Sequence, residues 1–187
     1  MWTSISNWLH RISTTWVALA GLTVFLSFSA LVLPAQSARA ETYANDAASP
    51  DTSLFYSPSE LYEAAQAYGE QGRAAYVRSR FTFDLIWPLV YALFLSTAIS
   101  WIAVRALAPR SGWRVANLVP VLGALSDYLE NVSTSIVMAR YPAQTPVVDR
   151  LAPIFTLIKW VLIGGSFALL FGFVLLGLWR WIRGRAR

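Results

Sequence analysis

Four apolar runs organise this chain, at residues 14–33, 81–104, 115–139 and 151–179. Crossing a hydrocarbon core of about 30 Å at about 1.5 Å per residue takes roughly 20 residues, and each run meets that length. In lipid the backbone must satisfy its own polar groups, so runs of this kind fold as helices. The expected fold class is therefore all-α: an integral membrane four-helix bundle that occupies residues 1–187 as a single transmembrane domain. The composition agrees, with 56% hydrophobic residues and a mean hydropathy of +0.48. Short loops between the last three runs make those spans antiparallel neighbours.

The arginines set the expected orientation. Arg11, Arg105, Arg110, Arg114, Arg180, Arg183, Arg185 and Arg187 flank one side of the runs without an acid, whereas the other side mixes six arginines with seven acids. By the positive-inside rule the all-basic side is cytoplasmic. This implies a multi-pass protein of a cell inner membrane with both termini inside and residues 34–80 outside. The basic balance then points to membrane lipids as partners and not to nucleic acid. Trp2, Ile5, Trp8, Leu9 and Ile12 recur at helical spacing and predict an N-terminal interfacial helix.

Ala38-Arg39-Ala40 resembles a signal-peptidase site. The apolar run before it is longer than the roughly 7–15 residues of a signal core, so we read the run as an uncleaved span; cleavage would leave three. From Pro34 the chain turns polar and rich in Ala, Ser, Asp and Thr, which predicts a flexible linker. Ser57-Pro58-Ser59-Glu60 is a capping box with proline at the first helical position, followed by Leu61, Ala64, Ala65 and Tyr68 on one face. A short extracytoplasmic amphipathic helix is expected there, ending near Gly69.

Several chemistries are excluded or unsupported. There is no Cys, and the single His10 lies before the first run, so thiol catalysis and imidazole chemistry inside the membrane are excluded. No phosphate loop or metal-finger spacing appears, and no cofactor is implied. Oxygen ligands from Asp127, Glu130 and Asn131 would suit Mg²⁺, Ca²⁺ or Mn²⁺ but have no loop motif behind them.

Charged side chains within a span cost at least about 2.5–3.5 kcal/mol at its centre, so they turn to a partner, a cavity or a task. Asp84 and Lys159 each precede an inner arginine, Arg105 and Arg180, by 21 residues, about 31 Å of helix. Asp127, Glu130 and Tyr91 fall at about 20 to 24 Å on the same scale. Helical spacing gives three stripes: Asp84, Trp87, Pro88, Tyr91; then Pro120, Gly123, Ala124, Asp127, Glu130, Asn131, Thr134, Met138; then Thr156, Lys159, Trp160. Turned inward, they build one polar pocket in the outer part of the bundle. Lys159 would offset the three acids, pairing with Glu130 or with Asp84. On the alternative reading, Asp84 and Lys159 sit at the outer interface and the acid group is an interhelical clamp. Arg73, Arg78 and Arg80, with Tyr76 among them, either hold a lipid phosphate or pair with the pocket acids, or form a solvated juxtamembrane stretch. Gly164, Ala168 and Gly172 repeat every four residues and predict a close-packing face.

The series Gly69…Gly72-Arg73…Tyr76, Asp84…Pro88…Tyr91, Asp127…Glu130-Asn131, Tyr141-Pro142 and Lys159-Trp160 resembles small bacterial four-span integral membrane proteins. The resemblance implies the topology and singles out these positions, and it implies no activity. Two functions follow as expectations. One is a pocket that binds, and in its stronger form processes, a lipid-like or small amphiphilic molecule, with Asp84, Tyr91, Asp127, Glu130, Asn131, Lys159, Arg73 and Tyr76 as its candidate residues. The other is a non-enzymatic accessory subunit of a larger membrane complex.

Overall fold

The computed structural model describes residues 2–44, 49–50 and 53–185. Every regular element among these residues is helical. The first, α1 (Trp2–Ile12), is amphipathic, with Trp2, Ile5 and Trp8 exposed and Ser6 buried. A break follows at Ser13 and Thr14. Thr14 restarts the chain as an N-cap, its side chain accepting from the Val17 amide.

The next run forms α2 (Thr15–Ser27), passes through a π-helical turn (Phe28–Val32) and continues as α3 (Leu33–Ala44). This corrects the linker expected from Pro34: the helix goes on to Ala44, and of that linker residues 45–48 and 51–52 lie outside the described residues. Two physical reasons account for the difference. Pro34 lacks an amide hydrogen and its ring crowds the preceding turn, and the wider π turn just before it, closed by Leu33 N–H to the Phe28 carbonyl, accommodates both. Beyond Pro34 the alanines have the highest helix propensity of any residue.

The capping box forms as the sequence predicts. Ser57 accepts from the Glu60 amide while Glu60 accepts from the Ser57 amide, and α4 (Pro58–Ala67) buries Leu61, Ala64 and Ala65. Gly69, at φ 62°, supplies the left-handed turn that ends it. The chain then forms α5 (Gly69–Arg80), followed after a two-residue turn by α6 (Phe83–Ala106). A 3-10 helix (Gly112–Leu118) leads into α7 (Val119–Arg140), which has Pro120 in its first turn, and the chain ends with α8 (Val148–Arg185).

Three helical stretches are long and apolar enough to cross a membrane: Thr15–Ala44, Gly69–Ala106 and Val148–Arg183. The remaining expected span, α7, is a helix but more polar, and the polar stripe read from its sequence is buried from Pro120 to Met138. The pairing is antiparallel between chain neighbours. Gly21 faces Phe94 and Thr97 from α2 to α6, Tyr91 meets Asp127 from α6 to α7, and Gly123 faces Ile163 from α7 to α8.

Close approach occurs at these glycines and not at the stripe of α8. A Cβ on Gly123 would lie 3.3 Å from Ile163 Cγ1, whereas one on Gly164 or Gly172 would meet nothing within 4 Å. Gly164, Ala168 and Gly172 are exposed, so the expected close-packing face is not used within this chain. A four-residue repeat marks one face of a helix without saying which way it points. The inward face of α8 is the one carrying Thr156, Lys159, Ser166 and Phe173, all buried.

Candidate functional site

The polar stripes of α6, α7 and α8 face one another, for the reason that a carboxylate turned to lipid costs more than a typical packing contact. Lys159 Nζ lies 2.6 Å from Glu130 Oε2, and both side chains are buried. Glu130 also accepts from Thr156 Oγ1 at 2.7 Å, and Thr156 Oγ1 lies 3.2 Å from the Tyr56 hydroxyl. Thus Tyr56, on the segment before α4, reaches down to Thr156, which itself holds the fully buried Glu130. Asp84 pairs with Arg80, four residues earlier, at 3.0 Å. Arg80 Nη1 lies 3.5 Å from Asn131 Oδ1, Asn131 donates to Asp127 Oδ1 at 3.2 Å, and Tyr91 donates to Asp127 Oδ2 at 3.0 Å.

Lys159 therefore pairs with Glu130, one of its two expected partners. It is also not the sole counter-charge, since Arg80 is buried and serves Asp84. Of the alternatives for the arginines before this span, Arg80 takes the pairing with a pocket acid, and its i,i+4 spacing from Asp84 is a readable sign of the pair. Arg73 and Tyr76 both take part in the packing of α5. Arg73 donates to the Ala65 carbonyl at 2.9 Å and stacks 4.7 Å above the Tyr141 ring, which ties α5 to α4 and to the end of α7. Tyr76 is buried, with the Arg80 guanidinium 4.5 Å above its ring.

Beside the cluster lies a partly open cavity of about 550 Å³, walled by α2 and α3 on one side and by α5, α6, α7 and α8 on the others. Its polar wall carries Arg80, Asp84, Tyr91, Asp127 and Lys159; its apolar wall includes Phe25, Trp87, Ile163 and Phe167. Glu130 and Asn131 are absent from the lining and hold the wall residues from behind. Gln36, Ser37, Ala40 and Glu41 complete the cavity from α3, a wall that the polar composition after Pro34 does not signal. The position of α3 is fixed where it crosses α5: a Cβ on Gly72 would lie 2.5 Å from the Tyr43 carbonyl oxygen, so only glycine permits the crossing.

A second polar cluster joins α1 to the far end of α6 and to the 3-10 helix that precedes α7. His10 places its two ring nitrogens 3.2 Å from the Ser100 carbonyl oxygen and 3.1 Å from that of Arg114. Asn117 donates to the Ser6 carbonyl at 3.1 Å and to Ser100 Oγ at 2.8 Å. No local pattern signals this clasp, because His10 precedes the apolar runs and its partners lie about 90 to 100 residues away.

Chemically, the main site can hold a molecule that is polar at one end. A volume of 300–1,000 Å³ is typical of small-molecule sites, and a mostly apolar lining with a few convergent polar groups is their usual make-up. No group of three or more His, Cys, Asp or Glu side chains is arranged to hold a metal ion among the described residues. In comparisons with protein-family models, curated proteins and solved structures, nothing matches this chain.

Proposed function

We propose that this protein is a four-span inner-membrane protein, with both termini cytoplasmic, whose cavity takes up a lipid-like or small amphiphilic molecule from the outer half of the bilayer. The observation that carries this reading is the cavity itself, with charged and hydroxyl groups on one wall and aromatic and aliphatic groups on another. Such a division suits a molecule with a polar head and an apolar body. The long stretches carrying α3 and α8 flank the cavity, whose open side would let an acyl or alkyl chain arrive from the lipid.

The length of α7 supports four spans rather than three. At 22 residues it is about 33 Å long, enough to cross. Its shortfall in apolar residues lies on the face covered by α6 and α8, where lipid is not the solvent. The exposed Trp2, Ile5 and Trp8 of α1 would then rest at the inner interface.

Two experiments test the reading. Cysteines placed singly at Ser49 and Ser111 should label from opposite sides of the membrane; labelling from the same side would sink the topology. A lipid carrying a photoactivatable acyl chain should crosslink to Ala40, Ile163 and Phe167. Crosslinks confined to outward-facing side chains such as Leu89 and Val121 would sink the cavity as a lipid site.

The accessory-subunit reading has one observation in its favour. Gly164, Ala168 and Gly172 leave a shallow exposed strip on α8 that would admit the backbone of a helix from another protein. Recovery of a stoichiometric membrane partner lost in Gly164→Leu would support it.

A further inference from the structure

Granting that the cavity binds an amphiphile, we propose that the head of that ligand is a flat conjugated ring bearing oxygen, such as a phenol or a quinone, stacked against the aromatic side chains of α6. This rests on the amphiphile reading and goes beyond it by naming the shape and chemical class of the head. Among the described residues, seven of the twenty that line the cavity are aromatic, against 14% over the whole chain. Only two, Leu33 and Ile163, are branched aliphatics, although the helices that supply the wall are otherwise rich in them. An aromatic belt at a membrane surface turns its rings to the interface. Trp87 and Tyr91 line the cavity instead, and Tyr91 is buried.

These rings are held in place by one another. Tyr91, whose hydroxyl donates to Asp127 Oδ2 at 3.0 Å, meets Trp87 edge to face at 5.8 Å. Trp87 stacks on Phe25 at 5.8 Å and on Phe28, from the π-helical turn, at 5.6 Å. Phe25 in turn stacks on Phe94 at 4.8 Å and tilts against Phe167 at 6.1 Å. The wall is therefore rigid and does not mould itself to what enters. A saturated chain filling the same space would gain contact area alone and would give up its rotational freedom to do so. A flat ring has little such freedom to lose, and its face and edge gain further attraction from offset-stacked and edge-to-face contacts. The oxygen on the ring would meet the polar wall, where the Tyr91 hydroxyl and the Lys159 ammonium stand, and the flexible part of the molecule would leave by the open side past Ile163.

The test uses the full chain in dodecyl maltoside and three alcohols of equal carbon count: 2-naphthol, decahydro-2-naphthol and 1-decanol. They share one hydroxyl and differ in flatness and conjugation. Saturable binding is followed by isothermal titration calorimetry, with uptake into protein-free micelles subtracted. The expected result is at least about fivefold tighter binding of 2-naphthol than of either saturated alcohol, with the preference removed by Trp87→Leu and reduced by Phe167→Leu. Phe167 is 40% exposed, so its variant keeps the test decisive where Trp87→Leu fails to fold. A smaller preference, or one unchanged by these substitutions, would overturn the ring assignment and leave the amphiphile reading standing. Saturable binding by none of the three would overturn both.

Discussion

Lys159 and Glu130 form an ion pair at 2.6 Å in which neither side chain is open to solvent, and the carboxylate is fully buried. Removing one partner of such a pair strands the other charge, at a cost of about 3–5 kcal/mol. Lys159→Met is accordingly expected to lower thermal stability in detergent steeply. Glu130→Gln, which leaves a neutral acceptor for Thr156, is expected to cost less. The double variant should recover most of the loss, giving a strongly non-additive cycle; additive single effects would mean the two side chains do not act as a pair.

Gly72 and the glycines of α8 offer a contrast within one residue type. Gly72→Ala drives a methyl group into the Tyr43 carbonyl, backbone that cannot move without shifting α3. A loss of about 1–3 kcal/mol is expected, the range for overpacking, together with faster proteolysis around residues 40–44. Gly172→Ala meets open space and should be neutral or gain up to about 1 kcal/mol from helix propensity. Equal effects at the two sites would contradict the α3–α5 crossing.

How much of this was readable in the sequence depends on whether the deciding partner is local. The buried stripe of α7, from Pro120 to Met138, could be read from helical spacing alone, because every member shares one helix face. The capping box at Ser57 and Glu60 was equally local. Four features were not readable: the continuation of the helix past Pro34, made possible by a π turn; the α3 wall of the cavity; the descent of Tyr56 to Thr156; and the clasp on His10. Each rests on a tertiary partner or a backbone adjustment that periodicity does not encode. The stripe at Gly164, Ala168 and Gly172 shows the converse, a correct pattern on the face opposite to the one assumed.

The capping box makes α4 sensitive to acid. The Ser57 amide and hydroxyl, by hydrogen bonding to the carboxylate of Glu60, hold its pKa below the usual value. A carboxyl depressed in the folded state contributes stability above its unfolded pKa and loses it as pH falls through the folded one. Amide exchange at Leu61, corrected for intrinsic rate, should therefore accelerate as pH drops below the ordinary carboxylate range. Glu60→Gln should flatten that dependence, and an unchanged profile would refute the assignment.

The clasp between α1 and the helices above it should be separable from the cavity. Ser6 is buried while its neighbours on α1 are exposed, so a cysteine at Ser6 should resist a polar thiol reagent. His10→Ala, which removes the side chain contacting the Ser100 and Arg114 carbonyls, should release the helix and make that cysteine reactive. A cysteine already reactive with His10 intact would show that α1 is not docked as described.

The central claim, that the cavity holds an amphiphile, is tested most directly by native mass spectrometry of protein released gently from its membrane. Ala40 lines the cavity from α3, and Ala40→Trp would fill part of its volume. The expected spectrum shows the intact chain with an adduct of a few hundred daltons, of the order a cavity of about 550 Å³ accommodates, and loses that adduct in Ala40→Trp. A spectrum with no adduct, or with one that persists unchanged in the filled variant, would contradict the account.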